Sequence, residues 1–98
     1  MMQLTVANPL FPSGHLVMTE GVARLTKEGK LFPLIYLGRH LNGDWGDIAD
    51  SDRRRNNAAL ESGEARLFSS YQIAPELTLW IITEWDRSVT TLLLPSEY

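Results

Sequence analysis

Cysteine is absent from the 98 residues, which removes disulfide scaffolds, cysteine zinc sites and thiol nucleophiles together. Histidine is scarce: His15 and His40 are the only two, and neither has a partner at a metal-ligand spacing such as HxxxH. No apolar run approaches the ~18 residues that a membrane-spanning helix needs. The amino terminus has no basic stretch leading into an apolar one, so the reading is a cytoplasmic chain. A phosphate-binding loop, a dinucleotide fingerprint and a G-x-S-x-G elbow around Ser69, Ser70 or Ser88 are all missing. So is a basic excess. The formal net charge is −3, and a protein that lives on duplex DNA draws most of its affinity from cationic contacts with phosphate, so direct DNA binding is disfavoured.

What is present suits one small globular domain. Hydrophobic residues are 44% and charged residues 21%, ordinary values for a chain with a core. The charge is uneven. Residues 1–43 carry four basic groups and two acidic ones, whereas residues 44–98 carry five basic and ten acidic. An acidic half repels nucleic acid and steers toward basic protein surfaces.

The order of local signals gives an α+β expectation for residues 1–98. Residues 1–14 read as an irregular leader, with Pro9 and Pro12 blocking helix. His15 to Thr19 suits a short strand. Thr19 reads as the N-cap of a helix from Glu20 to Glu28, with Gly29 just past its end. Pro33 fits the first turn of a second helix ending at Leu41. Asp50 or Ser51 would cap a third, running to Ser62 and stopped by Gly63. The period then changes. Arg66–Ile73, Leu77–Glu84 and Val89–Leu94 read as three strands with short connections, hence an antiparallel meander packed against the helices.

Gly43-Asp44-Trp45-Gly46-Asp47, and Trp80-Ile81-Ile82-Thr83-Glu84 with Asp86-Arg87-Ser88-Val89-Thr90-Thr91, carry a resemblance. The chain resembles a family of small, mostly uncharacterised proteins of bacterial plasmids and integrative elements. The likeness runs from about Phe11 to Tyr98 and includes Phe11-Pro12-x-Gly14, Arg39-His40, Asn56, Ala59-Leu60 and the Leu-Leu-Pro ending. Glu20-Gly21 departs from the family's usual start of the first helix, and Trp85 stands where a smaller residue is common. The resemblance implies cargo of mobile DNA, a class concerned with transfer, maintenance or escape from host defence.

Two constellations could carry chemistry. In the first, Asp44 and Asp47 flank Trp45 between two glycines, an arrangement that could offer oxygen ligands to Mg²⁺ or Ca²⁺. The plain structural account makes these residues caps and turns, with Trp45 a plug over the core. The second is the corner Glu84-Trp85-Asp86-Arg87. There a paired acid and arginine could position a substrate or act in general acid–base work, whereas the plain account has Asp86 in an Asx turn and Arg87 paired with Glu84. His40, near a helix C-terminus, reads as a dipole partner rather than a catalyst, and Trp80 reads as core. Arg53, Arg54 and Arg55 point three ways around their helix among acidic neighbours and read as a solvated face.

The leading expectation is a non-enzymatic binding protein, an inhibitor of a host defence complex such as CRISPR–Cas or restriction machinery. Its partner-binding residues would be Asp44, Trp45, Asp47, Glu84, Trp85, Asp86 and Arg87, with no cofactor. The alternative is a metal-dependent enzyme on nucleic acid, which requires Asp44, Asp47, Glu84 and Asp86 to converge. A third reading is a homodimer formed through the open edge of the meander.

Overall fold

A computed structural model describes residues 8–98. The chain runs β1 (His15–Met18), α1 (Glu20–Lys27), α2 (Pro33–Leu41), α3 (Asp50–Ser62), β2 (Leu67–Ala74), β3 (Leu77–Thr83) and β4 (Val89–Leu93), then a 3₁₀ turn at Pro95–Glu97. The leader's first seven residues lie outside the described ones. Residues 8–14 contain no helix or strand.

The β-branched and aromatic run of β3 becomes an inner strand, antiparallel to β2 on one side and to β4 on the other. The expected meander is there, but it is not the whole sheet. β1 joins it beside β4 and parallel to it, giving a four-stranded mixed sheet in the order β1-β4-β3-β2. The outer side of β4 is the edge that residue 15 reaches, and pairing there satisfies the β4-facing backbone groups of β1. His15 N–H donates to Ser88 O at 2.9 Å and Thr19 N–H to Leu92 O at 3.0 Å.

Alternation sorts the strands into two faces. Leu67, Ser69 and Tyr71 of β2, Leu79, Ile81 and Thr83 of β3, and Thr90 and Leu92 of β4 are buried on one of them. α1 and α2 contribute Val22, Leu37 and Leu41 to this side. They complete two apolar clusters, one around Phe11, Trp45 and Leu67 and one around Tyr71, Ile81 and Leu92. On the opposite face Trp80 is half-buried, its ring edge-on to Phe68 at 5.2 Å and to Tyr98 at 5.7 Å. It is therefore outside the helix-covered core in which the sequence suggests it.

Thr19 is the N-cap of α1, as expected, but its hydroxyl makes no bond to the helix; it donates instead to the Glu97 carboxylate. Glu97 also accepts Gly21 N–H at 2.8 Å and Leu94 N–H at 2.9 Å, so a side chain from the far end of the sequence caps α1. A Cβ at Gly21 would sit 2.7 Å from that carboxylate, so a side chain at this position would displace the Glu97 cap. The bonding hydroxyl of Thr19 holds the Glu97 carboxyl below its ordinary pKa. Asp50 lies in the first turn of α3, not at its N-cap, which is Ala49. Arg53 and Arg55 pair along the helix with Asp50 and Asp52, as a solvated face should.

The exposed edge of β2 is closed by side chains and a loop. Asn56 of α3 accepts Phe68 N–H at 3.1 Å and donates to Phe68 O at 2.7 Å. Ser70 N–H donates to Trp45 O at 3.1 Å, and Asp47 N–H donates to Ser70 O at 2.6 Å. Gln72 N–H ends on the Asp47 carboxylate at 2.9 Å. Buried Asn56 thus satisfies two backbone groups at once. Asn56→Ala is expected to cost about 2–3 kcal/mol in urea denaturation, the toll of unpaired buried polar groups. Asn56→Asp, which keeps only the acceptor, should be no better than Ala at neutral pH.

Candidate functional site

The Gly43–Asp47 segment is the lid on the β2 edge just described. Gly46 has φ +77°, and a Cβ there would lie 2.2 Å from Ser70 O and 2.5 Å from the Tyr71 ring, so this crossing needs glycine. Asp44 accepts from Arg39 Nε at 2.7 Å, and that guanidinium holds its carboxyl below the usual carboxylate range. Arg39 in turn lies 4.7 Å over the Tyr71 ring. The Tyr71 hydroxyl donates to Asp44 O at 2.5 Å, and burial pushes this phenol up to about 12. Trp45 is 1% exposed, stacked 6.2 Å from Phe11, with its indole N–H on Asn57 Oδ1 at 3.2 Å. Trp45 therefore belongs to the core and offers no surface.

The corner between β3 and β4 is built differently. Asp86 accepts from Ser88 N–H at 3.0 Å and Ser88 Oγ at 2.6 Å, the expected Asx turn, and those bonds lower its pKa. Arg87 has φ +61°, an unusual left-handed conformation for a long side chain. Its guanidinium does not pair with the Glu84 carboxylate. It donates to backbone carbonyls instead: Ala65 at 2.6 Å, Glu84 and Trp85 at 3.2 Å each, and Ala59 at 3.1 Å. Arg87 thereby caps α3 and pins the turn, and its burial lowers its pKa. Trp85, on the same turn, is 62% exposed.

The two constellations do not converge. Glu84 follows Thr83, which pairs with Leu67, whereas Asp47 binds at Gln72. From Leu67 to Gln72 is five residues along β2, about 17 Å at ~3.3 Å per residue. Among the described residues, no three His, Asp or Glu side chains gather as a metal ion would require.

The chemistry-bearing group that sequence reasoning missed is interior. His40 is fully buried, so it cannot act as an exposed charged partner for the α2 dipole. Its Nδ1 lies 2.5 Å from Ser69 Oγ and its Nε2 2.9 Å from Thr83 Oγ1. Thr83 Oγ1 is 2.7 Å from Thr90 Oγ1, which donates to Ser13 O at 2.7 Å. A carbonyl can only accept, so every proton in the chain has its direction set. Thr90 spends its proton on Ser13, Thr83 must donate to Thr90, and His40 must donate from Nε2 to Thr83. Neutral His40 then accepts from Ser69 at Nδ1. The Ser–His contact imitates a nucleophile and its base, but Ser69 and His40 are both sealed from solvent and no acid orients the ring. The signal was there in the sequence: Ser69, Thr83 and Thr90 are polar residues at inward strand positions.

No family model, no curated protein and no solved structure matches the chain.

Burial lowers the His40 pKa from 6.5 to about 3. Between those values the unfolded chain binds a proton that the folded chain refuses. Stability is therefore whole above pH 6.5 and declines as pH falls toward 3, by at most about 1.4 kcal/mol per pH unit. Urea denaturation at stepped pH checks this, and His40→Gln should flatten that part of the slope. Thr83→Val keeps the volume but strands the imidazole N–H, and should cost about 2–3 kcal/mol at neutral pH.

Proposed function

We propose that this is a non-enzymatic binding protein whose contact surface is centred on Trp85, with Glu84 and Asp86 beside it. The observation that carries the reading is a large aromatic side chain held in solvent on a turn pinned by Arg87 and Asp86. An exposed tryptophan on a rigid support is the form that interface anchors take, since little ordering entropy is left to lose on binding. Glu84 and Asp86 are exposed and belong to no ion pair among the described residues. They favour a basic partner surface with an apolar recess for the indole. Asp44, Asp47 and Arg87 are engaged in holding the fold, whereas Asp86 makes its turn through Oδ1 and keeps an exposed carboxylate, so Glu84 to Asp86 form the contact set.

The resemblance to proteins of plasmids and integrative elements suggests which basic surface this is: the nucleic-acid-binding face of a host defence complex in the cytoplasm. Occupying that face would exclude its nucleic acid. The test uses the immobilised protein beside its Trp85→Ala and Glu84→Lys variants against bacterial lysate, followed by calorimetry on the partner retained. Trp85→Ala should weaken binding by about 2 kcal/mol, and Glu84→Lys should weaken it most at low salt, with thermal unfolding unchanged in both. Equal affinity for all three proteins would overturn the reading.

A further inference from the structure

The two edges of the sheet are treated in opposite ways. The β2 edge is covered at Phe68, Ser70 and Gln72 by Asn56 and the Trp45–Asp47 loop. The β1 edge is not. His15 and Thr19 direct their N–H groups to β4, so by alternation Leu16 and Met18 direct theirs outward. Among the described residues nothing bonds them. Native sheets blunt such an edge with charge, proline or a bulge, and Leu16-Val17-Met18 has none of these.

The side chains add to this. Leu16 and Met18 pair with Thr90 and Leu92, and so stand on the helix-covered face. With Phe32, Leu34 and Ile35 from the start of α2 they wall a groove of about 510 Å³ that no charged side chain lines. Leu16, Met18 and Leu34 are about half exposed, and Phe32 and Ile35 are 63% exposed. Together with Val17 they show on the order of 600 Å² of surface per chain. Doubled, that reaches the lower end of the ~1,200–2,000 Å² of a stable interface.

We propose that the occupant of this edge is a second copy of the chain. The strand is self-complementary about Val17. Two β1 strands laid antiparallel across a two-fold axis at Val17 place Leu16 opposite Met18 of the second copy, and the reverse. Both are hydrogen-bonded pairs, so the outward N–H and C=O groups of four residues are satisfied at once. The axis is perpendicular to the sheet. Both helix layers therefore fall on one side, the two grooves meet across the seam, and the two four-stranded sheets join into one. No residue of Glu84–Arg87 takes part, so the inference stands apart from the binding role above.

Sedimentation equilibrium should give twice the 11.1 kDa of one chain. Leu16→Lys, at a site already half exposed, should return the single-chain mass with circular dichroism and thermal unfolding unchanged, and Trp85→Ala should leave the dimer intact. The register has its own test, since the chain has no cysteine. Val17 would form a non-hydrogen-bonded pair with itself, with Cα atoms about 4.5 Å apart, within disulfide reach. Val17→Cys should therefore oxidise to a linked dimer, whereas Leu16→Cys, facing methionine, should not. A single-chain mass for the unmodified protein up to millimolar concentration overturns the proposal. So does a dimer that survives Leu16→Lys, or equal cross-linking of both cysteine variants.

Discussion

The carbonyl of Ser13 governs more of this molecule than its place in an irregular segment suggests. By accepting the Thr90 hydroxyl it sets the direction of a hydrogen-bonded chain through Thr83 and His40 to Ser69, which crosses the core from the leader to α2 and β2. This polar band runs between the two apolar clusters, with Phe11 and Trp45 edge-on to the imidazole at 5.3 and 5.5 Å. Such a band in a low-dielectric interior is stable only when complete, because each missing partner leaves a desolvated group behind. It is complete: among the described residues no buried side-chain nitrogen or oxygen lacks a partner. Apolar contact alone would let the strands and α2 slide past one another, whereas one set of donors and acceptors fixes a single alignment.

The same economy is seen at the periphery, where charged residues serve the backbone. Asp47 closes a sheet edge, Glu97 caps a helix from 76 residues away, and Arg87 gathers four carbonyls from the end of α3 and the hairpin. A small domain buries a modest share of its surface, so backbone groups at loops and termini need partners that a larger core would have supplied. With these side chains committed, Trp85 remains 62% exposed on a turn that two of its neighbours hold in place.

Local signals carried most of the fold. Pro33, Gly29 and Gly63 marked helix boundaries to within a residue or two, because proline and left-handed glycine act on the backbone wherever the chain goes. The alternation of Arg66–Ile73 and the β-branched, aromatic run of Leu77–Glu84 likewise revealed the meander from local pattern. Long-range features were not legible. Nothing in His15–Met18 says that it runs parallel to a strand more than seventy residues later, and nothing in Glu97 announces a helix cap. The site divided in the same way. The exposure of Trp85 and the Asx turn of Asp86 follow from a tight hairpin. The burial of Trp45 and the separation of Asp47 from Glu84 depend on which strand edge the loop crosses, and that is a tertiary fact.

The pairing of β1 with β4 and the Glu97 cap on α1 also govern when the fold can close. The ribosome makes β1 and α1 before β4 and residue 97, yet one needs β4 for its backbone bonds and the other needs residue 97 for its cap. Until then the apolar Leu16-Val17-Met18 segment has no native neighbour on either side, while the helices and the β2–β3 hairpin can already collapse. Vectorial synthesis thus leaves β1 without its sheet partner until β4 has been made.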